Sequence, residues 1–299
     1  MIVFGAKHYR KQGQALAQAL HCSYEEISVH RFPDGESKVT LPTMLTEHII
    51  LCQTLDRPNN KLIELFLTCT ALRERGVQRI TLVAPYLCYM RQDAEFHPGE
   101  IVTQTIIGKW LGDLVDTVIT VDPHLHRVKH LSDAIPNTQT ITLSAAPLMA
   151  EFLTTRPIPP LLMGPDEESQ QWVQSIAEQA NLDWAIARKV RRGDHQVKIQ
   201  LPEINFKGRR VVLIDDVAST GRTLANTAKL LKNSGADMVK CFITHPLFAD
   251  DAEQALTNAC ITHIWSSDSI SHSSNVISLT KMIAKEITEQ VDPGPLHRQ

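Results

Sequence analysis

Short runs of apolar residues alternate with amphipathic segments along almost the whole chain. The apolar runs predict strands at residues 2–4, 24–29, 48–53, 79–84, 117–121, 138–143, 161–163, 184–187, 211–214, 239–243 and 261–265. Apolar residues at helical spacing predict helices at residues 14–20, 61–75, 102–111, 145–153, 170–180, 223–233, 252–258 and 279–287. This regular alternation predicts the α/β class, with doubly wound and mostly parallel sheets.

The length of the chain favours two domains. It has 299 residues, which is more than one typical α/β domain contains. Residues 157–160 contain three prolines, so they predict a loop early in the second domain. We therefore expect one domain over residues 1–144 and another over residues 145–299, the latter ending in a frayed tail.

Composition excludes few functions but bears on partners and compartment. Hydrophobic residues make up 43% of the chain, charged residues 21%, and the formal net charge is −3, so we expect no nucleic-acid partner. No apolar stretch approaches the ~18 residues of a membrane span, so we expect no membrane contact. The cysteines include no C-x-x-C pair and predict reduced core residues of a cytoplasmic protein. They are Cys22, Cys52, Cys69, Cys88, Cys241 and Cys260.

Residues 211–223 combine an apolar strand, two acids and the start of a helix. Asp215 and Asp216 come at the carboxyl end of the strand, where ligands bind in open α/β sheets, and carboxylates there can bind sugar hydroxyls or magnesium. Small residues follow that can point successive backbone N–H groups at one anion: Ser219, Thr220, Gly221 and Thr223. The segment predicts a ribose 5-phosphate site. The alternative is an ordinary strand–turn–helix in which Asp216 or Ser219 caps the helix.

This segment resembles the phosphoribosyl diphosphate (PRPP) binding loop that type I phosphoribosyltransferases share with ribose-phosphate diphosphokinases. Further segments resemble the diphosphokinases in the same order along the chain, at residues 31–36, 85–93, 121–126, 164–169 and 188–195. The resemblance covers roughly residues 1–285. It implies two doubly wound phosphoribosyltransferase-like domains, and it is closer to the archaeal-type branch of the family.

Residues 31–36 contain a Pro-Asp-Gly core that predicts a tight turn, and a turn alone would account for them. The resemblance implies more, because the segment is nearly the adenine-contacting loop of the diphosphokinases. Phe32, Asp34 and Glu36 would then bind ATP in the site of a neighbouring subunit. This implies self-association, at least into a dimer and up to a hexamer.

Residues 85–93 follow a predicted strand, so their polar end falls at the ligand-binding edge of a sheet. They resemble the P-Y-x-x-Y-x-R-Q-D segment of the family, which implies ATP binding by Arg91, Gln92 and Asp93. The guanidinium of Arg91 has a planar shape that suits phosphate oxygens. The alternative is a structural loop in which Arg91 pairs with Asp93.

Residues 121–126 follow another predicted strand. His124 aligns with the histidine of the family's D-x-H segment, which implies a place at the magnesium–ATP site, and a neutral imidazole can bind a divalent cation. We expect His126 to be a surface side chain that points away from His124. Pro123 stands where bacterial members usually have leucine.

Residues 164–169 resemble the P-D-x-G diphosphate loop of the family, which implies that Asp166 binds the metal. Glu168 stands where the family has glycine, and Trp172 where an arginine is common. The alternative interpretation of Asp166 is an acid that only interacts with the dipole at the start of a helix.

Residues 188–192 contain four cationic side chains, and a solvated basic loop is the simplest interpretation. The resemblance implies a flexible catalytic loop in which Lys189 and Arg191 stabilise the negative charge of the transition state. Two departures from the family pattern lie further on. Most members have aspartate in place of Ser219 and glycine in place of Arg222.

Taken together, the resemblance implies a ribose-phosphate diphosphokinase. This enzyme transfers the β,γ-diphosphoryl group of ATP to the anomeric hydroxyl of ribose 5-phosphate, giving PRPP and AMP, with Mg²⁺ as cofactor. Two alternatives stay open. A type I phosphoribosyltransferase would consume PRPP at residues 211–223 but would not need Phe32, Arg91 or His124. A non-catalytic regulatory homologue would associate with active subunits, and retention of Lys189 argues against it.

Overall fold

The computed structural model describes residues 1–192 and 196–291 and divides into two compact units. The first unit contains Met1–Leu143, Ser269–Ser271 and the described residues 279–291. The second unit contains Ser144–Asp268 and His272–Ser278. A single boundary near residue 144 would assign the whole carboxyl-terminal part to the second unit, whereas here its last helix groups with the first.

The first unit is built on a seven-stranded sheet in the order β3-β2-β1-β4-β5-β6-β7. Its strands are β1 (Ile2–Ala6), β2 (Ser23–Arg31), β3 (Ser37–Thr40), β4 (His48–Cys52), β5 (Arg79–Val83), β6 (Thr117–Val121) and β7 (Gln139–Leu143). Its helices are α1 (Arg10–Ala19), α2 (Pro58–Glu74), α3 (Thr103–Leu114), α4 (Leu131–Ala134) and α9 (Thr280–Glu286). All neighbouring strands are parallel except β2 and β3, which form an antiparallel pair.

The second unit has a six-stranded parallel sheet in the order β15-β14-β13-β12-β8-β9, and a separate antiparallel pair of β10 and β11. Its strands are β8 (Leu161–Gly164), β9 (Trp184–Ile186), β10 (Arg188–Arg192), β11 (Gln196–Gln200), β12 (Arg210–Ala218), β13 (Met238–Pro246), β14 (Ile261–Ser267) and β15 (Asn275–Ile277). Its helices are α5 (Ala146–Thr154), α6 (Gln170–Ala180), α7 (Arg222–Asn233) and α8 (Ala252–Asn258).

Strand β12 is the centre of the second sheet. Its apolar residues Val211, Val212, Leu213 and Ile214 are all buried, because helices cover both faces of a doubly wound sheet. Helix α7 follows β12 and turns its apolar side to this core through Leu224, Ala228 and Leu231. The parallel pairing of β12 with β8 and β13 brings the carboxyl ends of three strands to one edge.

The predicted α/β class and the mostly parallel sheets are confirmed, and every predicted strand and helix has a counterpart in the structure. Three differences concern the second unit. The strand predicted to end at Ile214 continues to Ala218, so both acids lie within β12. The expected basic loop is a strand over Arg188–Arg192 that pairs with β11, while residues 193–195 lie outside the described residues. Strand β15 was not predicted, because only Val276 and Ile277 of its residues are apolar and a polar run precedes them.

The cysteines are free thiols, as expected, and four of the six are buried. Cys22 is half-buried and Cys260 is exposed, so the expectation of core positions is wrong for Cys260. Among the helices that the structure describes, none combines the length and the apolar character needed to cross a bilayer.

Candidate active site

Three carboxylates and a lysine gather at the carboxyl edge of the second unit's sheet. Asp166 follows β8, and Asp215 and Asp216 lie in the last part of the neighbouring strand β12. Asp166 and Asp216 are almost fully buried, with 6% and 4% of their surface exposed. Lys189 reaches this group from β10, where its Nζ lies 2.5 Å from Oδ2 of Asp166.

The two oxygens of Asp166 have different partners. Its Oδ1 accepts a hydrogen bond from the backbone N–H of Glu168 at 3.1 Å, while its Oδ2 pairs with Lys189. The hydroxyl of Ser169 donates to the backbone oxygen of Asp166 at 2.7 Å. One oxygen of Asp166 therefore contacts the start of the helix, as the alternative interpretation expects. The other oxygen forms an ion pair with Lys189.

The charges in this cluster shift one another's pKa values. Burial raises the pKa of Asp215 well above its usual range, and the negative charges of Asp216 and Asp166 raise it further. Burial also acts to lower the pKa of Lys189, but its hydrogen bond to Asp166 and the attraction of nearby acids outweigh this, so the pKa is raised. Three acids around one ammonium group leave an excess of negative charge, which suits a further cation or the hydroxyls of a sugar.

The loop between β12 and α7 has the shape expected of an anion site. Gly221 has φ +66°, and a Cβ added there would lie 3.2 Å from Leu256 Cγ, so the position favours glycine on both grounds. The backbone oxygen of Ser219 accepts a hydrogen bond from the N–H of Ala249 at 3.0 Å, which holds the loop. Thr223 lies in the first turn of α7, whose amino-terminal N–H groups have no partners within the helix.

The capping alternative for this loop is wrong. Gly221 is the N-cap residue of α7, and it has no side-chain cap hydrogen bond. The carboxylate of Asp216 instead accepts a hydrogen bond from the backbone N–H of Val217 at 2.8 Å. Thr220 is exposed, while Ser219 and Thr223 are half-buried.

In the first unit, the turn between β2 and β3 carries the predicted adenine-contacting residues. The N–H of Phe32 donates to the oxygen of Glu36, and that of Gly35 donates to the oxygen of Phe32. Asp34 accepts a hydrogen bond from the N–H of Glu36 at 3.1 Å. The ring of Phe32 contacts His30 edge-on, with a centroid distance of 4.9 Å, and Phe32 stays 43% exposed. The turn interpretation is correct, and the turn leaves an aromatic ring and two carboxylates at the surface.

The three residues predicted to bind ATP lie in the segment after β5, and their side chains have different surroundings. Arg91 is exposed and has no hydrogen bond or ion pair within the described parts of the chain. Gln92 donates a hydrogen bond to the backbone oxygen of Ala94 at 3.1 Å. The side chain of Asp93 is only 1% exposed and pairs with Arg127 at 2.5 Å.

The pairing of Asp93 corrects one of the alternatives considered for this loop. Asp93 pairs with Arg127 and not with Arg91. The backbone N–H of Arg127 also donates to Asp93 at 3.2 Å. The guanidinium of Arg91 is therefore available to an anion, whereas the Asp93 carboxylate is already occupied. Sequence reasoning missed Arg127, because no local pattern links two residues that lie 34 positions apart.

His124 and His126 lie beyond the end of β6, in irregular backbone. Their rings are nearly perpendicular with centroids 4.1 Å apart, and their Nε2 atoms lie within hydrogen-bonding distance. The expectation that His126 points away from His124 is therefore wrong. Within residues 1–192 and 196–291 no group of three or more His, Cys, Asp or Glu side chains could hold a metal ion.

Substitution of Asp215 by Asn should stabilise the folded chain. Because folding raises the pKa of Asp215, the folded state holds this proton more tightly, so stability falls as pH rises from the unfolded value of about 3.9 through the folded one. The gain of Asp215→Asn should therefore be larger at pH 8 than at pH 5 in urea unfolding. Asp237→Asn, at an exposed site of the same unit, is the control. A gain that is larger at pH 5 would contradict this electrostatic account.

The chain is similar to known proteins over most of its length. The model of the N-terminal domain of ribose phosphate pyrophosphokinase matches residues 1–114, and that of the phosphoribosyl transferase domain matches residues 132–278. The ribose-phosphate pyrophosphokinase of Saccharolobus solfataricus is 31% identical over 265 residues, covering 86% of this chain and 88% of that protein. That of Methanopyrus kandleri is 28% identical over 291 residues, covering 96% and 98%.

A solved structure extends the likeness to the fold of the whole chain. The phosphoribosylpyrophosphate synthetase of Mycobacterium smegmatis has a TM-score of 0.84 at 19% identity, with 98% of this chain and 99% of that chain covered. Pyrophosphokinase and diphosphokinase are two names for the same enzyme class. On these matches, the chain belongs to the ribose-phosphate pyrophosphokinase family.

Proposed function

We propose that this chain makes PRPP and AMP from ATP and ribose 5-phosphate, and that the residues described above perform the reaction. The observation that carries the assignment of roles is the contact between Lys189 and Asp166 beside Asp215 and Asp216. It supports these roles, because an ammonium group suited to a phosphoryl group and carboxylates suited to a sugar lie together at the carboxyl edge of the sheet.

Ribose 5-phosphate binds along the loop between β12 and α7. Asp215 and Asp216 accept hydrogen bonds from its ring hydroxyls, and the amino terminus of α7 binds its phosphate. The hydroxyls and backbone N–H groups that contribute to the phosphate site are those of Ser219, Thr220, Gly221 and Thr223. In support of this, Gly221 has the backbone angle that such a loop needs.

ATP binds to residues of the first unit. Arg91 and Gln92 bind its phosphates, since the Arg91 guanidinium has no competing partner in the described chain. The exposed ring of Phe32 stacks on the adenine of a neighbouring subunit, and Asp34 and Glu36 accept its amino protons. The role of Asp93 in this site is to position the loop through Arg127, rather than to contact ATP.

Mg²⁺ is the cofactor that fits the donor set. In the second unit, Asp166 supplies carboxylate oxygen, the ligand that Mg²⁺ prefers. In the first unit, the imidazole of His124 can also bind a divalent cation. Because the described residues contain no complete metal cluster, each of these groups would need oxygens of the substrate phosphates to complete the coordination of an ion. When bound, the ion neutralises part of the phosphate charge.

In the transfer step, the anomeric hydroxyl releases its proton to solvent water, and its oxygen forms a bond to the β-phosphorus of ATP. The bond between that phosphorus and the oxygen bridging to the α-phosphate breaks, and AMP leaves. Lys189 moves from Asp166 to the oxygens that gain charge in the transition state. Arg191 has the same role, although its side chain lies outside the described part of the structure.

The free thiols of the chain favour a reducing compartment, and we place the enzyme in the cytoplasm.

The products distinguish this function from its two alternatives. We expect purified chain to form AMP from ATP and ribose 5-phosphate when Mg²⁺ is present, and much less when the metal is chelated. Release of pyrophosphate from PRPP and a nucleobase would instead indicate a phosphoribosyltransferase. Absence of both reactions in the isolated chain, with activity only after addition of another subunit, would indicate a regulatory homologue.

Substitution of Lys189 by Ala should lower the turnover rate by about 10³-fold, because the side chain acts on charge that develops only in the transition state. The affinity for ribose 5-phosphate should change little, since the loop after β12 remains intact. Steady-state kinetics and a binding titration measure the two effects separately. Lys207→Ala, at an exposed lysine of the same unit, is the control and should keep full turnover.

Mixing two impaired variants at an ATP concentration well below saturation tests whether the Phe32 turn serves a neighbouring subunit. Phe32→Ala should weaken ATP binding by about tenfold, because stacking on a base contributes roughly 1–3 kcal/mol. Co-assembly of Phe32→Ala with Lys189→Ala should restore part of the AMP formation, since one intact site then receives Phe32 from the other subunit. If the turn instead serves its own subunit, the activity of the mixed assemblies is no higher than the average of the two separate variants.

A further inference from the structure

A second concave surface lies at the other end of the second unit's sheet. Its volume is about 190 Å³, and it lies between the loop after α5 and the starts of β12 and β13. The lining includes Arg156, Ile158, Arg210, Lys240 and Trp265. We propose that this cavity, here called the β12 entry pocket, is a binding site for a small planar organic anion.

Every charged side chain that lines the β12 entry pocket is positive. The pocket is lined by Arg156, Arg210 and Lys240, and none of the acidic residues that the structure describes lines it. Arg156 donates hydrogen bonds only to neutral groups, the backbone oxygen of Phe152 at 3.3 Å and the hydroxyl of Thr155 at 3.0 Å. Within the residues that the structure describes, none of the three cations has a carboxylate partner. Their mutual repulsion is unrelieved, so an anion between them would be bound favourably.

The electrostatic surroundings of Lys240 support this view. Burial lowers the pKa of Lys240, and the charges of Arg156 and Arg210 lower it further. Burial and the two neighbouring arginines therefore both disfavour its charged form. A bound anion would reverse that effect, because an opposite charge at close range favours the ammonium form.

The apolar part of the pocket selects a planar body. The ring of Trp265 is only 8% exposed, and Lys240 Nζ lies 4.6 Å from its centroid. The guanidinium of Arg156 is planar, and it lies 4.2 Å from the centroid of the Phe152 ring. Phe152, Phe242 and Trp265 pack edge-to-face with centroids 5.1 to 6.0 Å apart, so the ring of Trp265 that lines the pocket is held in place from behind. Side chains of this kind bind flat organic groups as well as charge.

The size and position of the pocket limit the ligand further. About 190 Å³ is less than a drug-sized site and suits a single ring, with any remaining part of the ligand in solvent. Arg210 begins β12 and Asp215 lies five residues later, a separation of roughly 16 Å along an extended strand. The pocket is therefore separate from the carboxylate edge of the same unit. An aromatic carboxylate or a nucleoside monophosphate has the required chemistry.

Fluorescence of Trp265 in the full-length chain tests the proposal with three probes: benzoate, AMP and inorganic phosphate. The signal assigned to Trp265 is the part that disappears in Trp265→Phe. We expect benzoate or AMP to change this signal saturably, and phosphate to bind at least about tenfold more weakly because it has no planar body. A saturable response to benzoate but not to AMP would identify an aromatic carboxylate as the ligand class. A response to AMP but not to benzoate would identify a nucleotide.

Two variants test the role of charge. Lys240→Gln and Arg156→Gln should each weaken the binding of the responding probe by about tenfold, the usual effect of losing one charged contact. Lys207→Gln, whose side chain does not line the pocket, should bind as the unmodified chain does. Basal formation of AMP from ATP and ribose 5-phosphate should be unchanged in all three, which also shows that they fold. If Lys240→Gln fails to fold, Arg156→Gln carries the test, since its side chain lies in a surface loop.

Three results would overturn the proposal. The first is the absence of a saturable Trp265 signal with both benzoate and AMP. The second is equal affinity of Arg156→Gln, Lys240→Gln and the unmodified chain for the responding probe. The third is phosphate binding as tight as that of either organic probe, which would make the site a simple anion site without preference for a planar body.

Discussion

Three carboxylates meet where β8 and β12 end, and the second unit must compensate their charge. Asp166 and Asp216 are nearly inaccessible to solvent, so water cannot screen them well. Lys189 neutralises Asp166, backbone N–H groups donate to one oxygen each of Asp166 and Asp216, and Asp215 holds its proton more tightly. A structure that keeps such charge together in the interior gives up stability, which is usual at sites that bind polar ligands.

The α/β class and most strands and helices could be predicted from apolar periodicity, because buried parallel strands and their helices have clear local patterns. The strand order and the short strands β3, β10, β11 and β15 could not be predicted in this way. The site could be predicted only in part. The acids of β12 and the glycine turn are contiguous in sequence, so their placement follows from one strand–turn–helix unit. The partners of charged residues could not be predicted, because they depend on packing. Asp93 meets Arg127, and Lys189 meets Asp166, across loops whose course no local pattern encodes.

Strand β12 joins two surfaces of opposite charge. It begins at Arg210, next to Lys240 of β13, and its last residues include Asp215 and Asp216. Between these ends the strand is apolar and buried, so neither set of charges is neutralised by the other. The parallel arrangement causes this separation, because it collects all strand starts at one edge of the sheet and all strand ends at the opposite edge.

Lys189 is carried by a two-stranded ribbon rather than by the main sheet. Strands β10 and β11 form their own antiparallel pair, and an isolated pair of this kind is marginally stable in water. Ile199 of β11 is buried and packs into the core of the unit, which attaches the ribbon at one strand. Fraying of the other strand would withdraw the ammonium group while the six-stranded sheet remained folded. Evolution can thus adjust the frequency of this opening through ribbon residues without altering the interior of the enzyme.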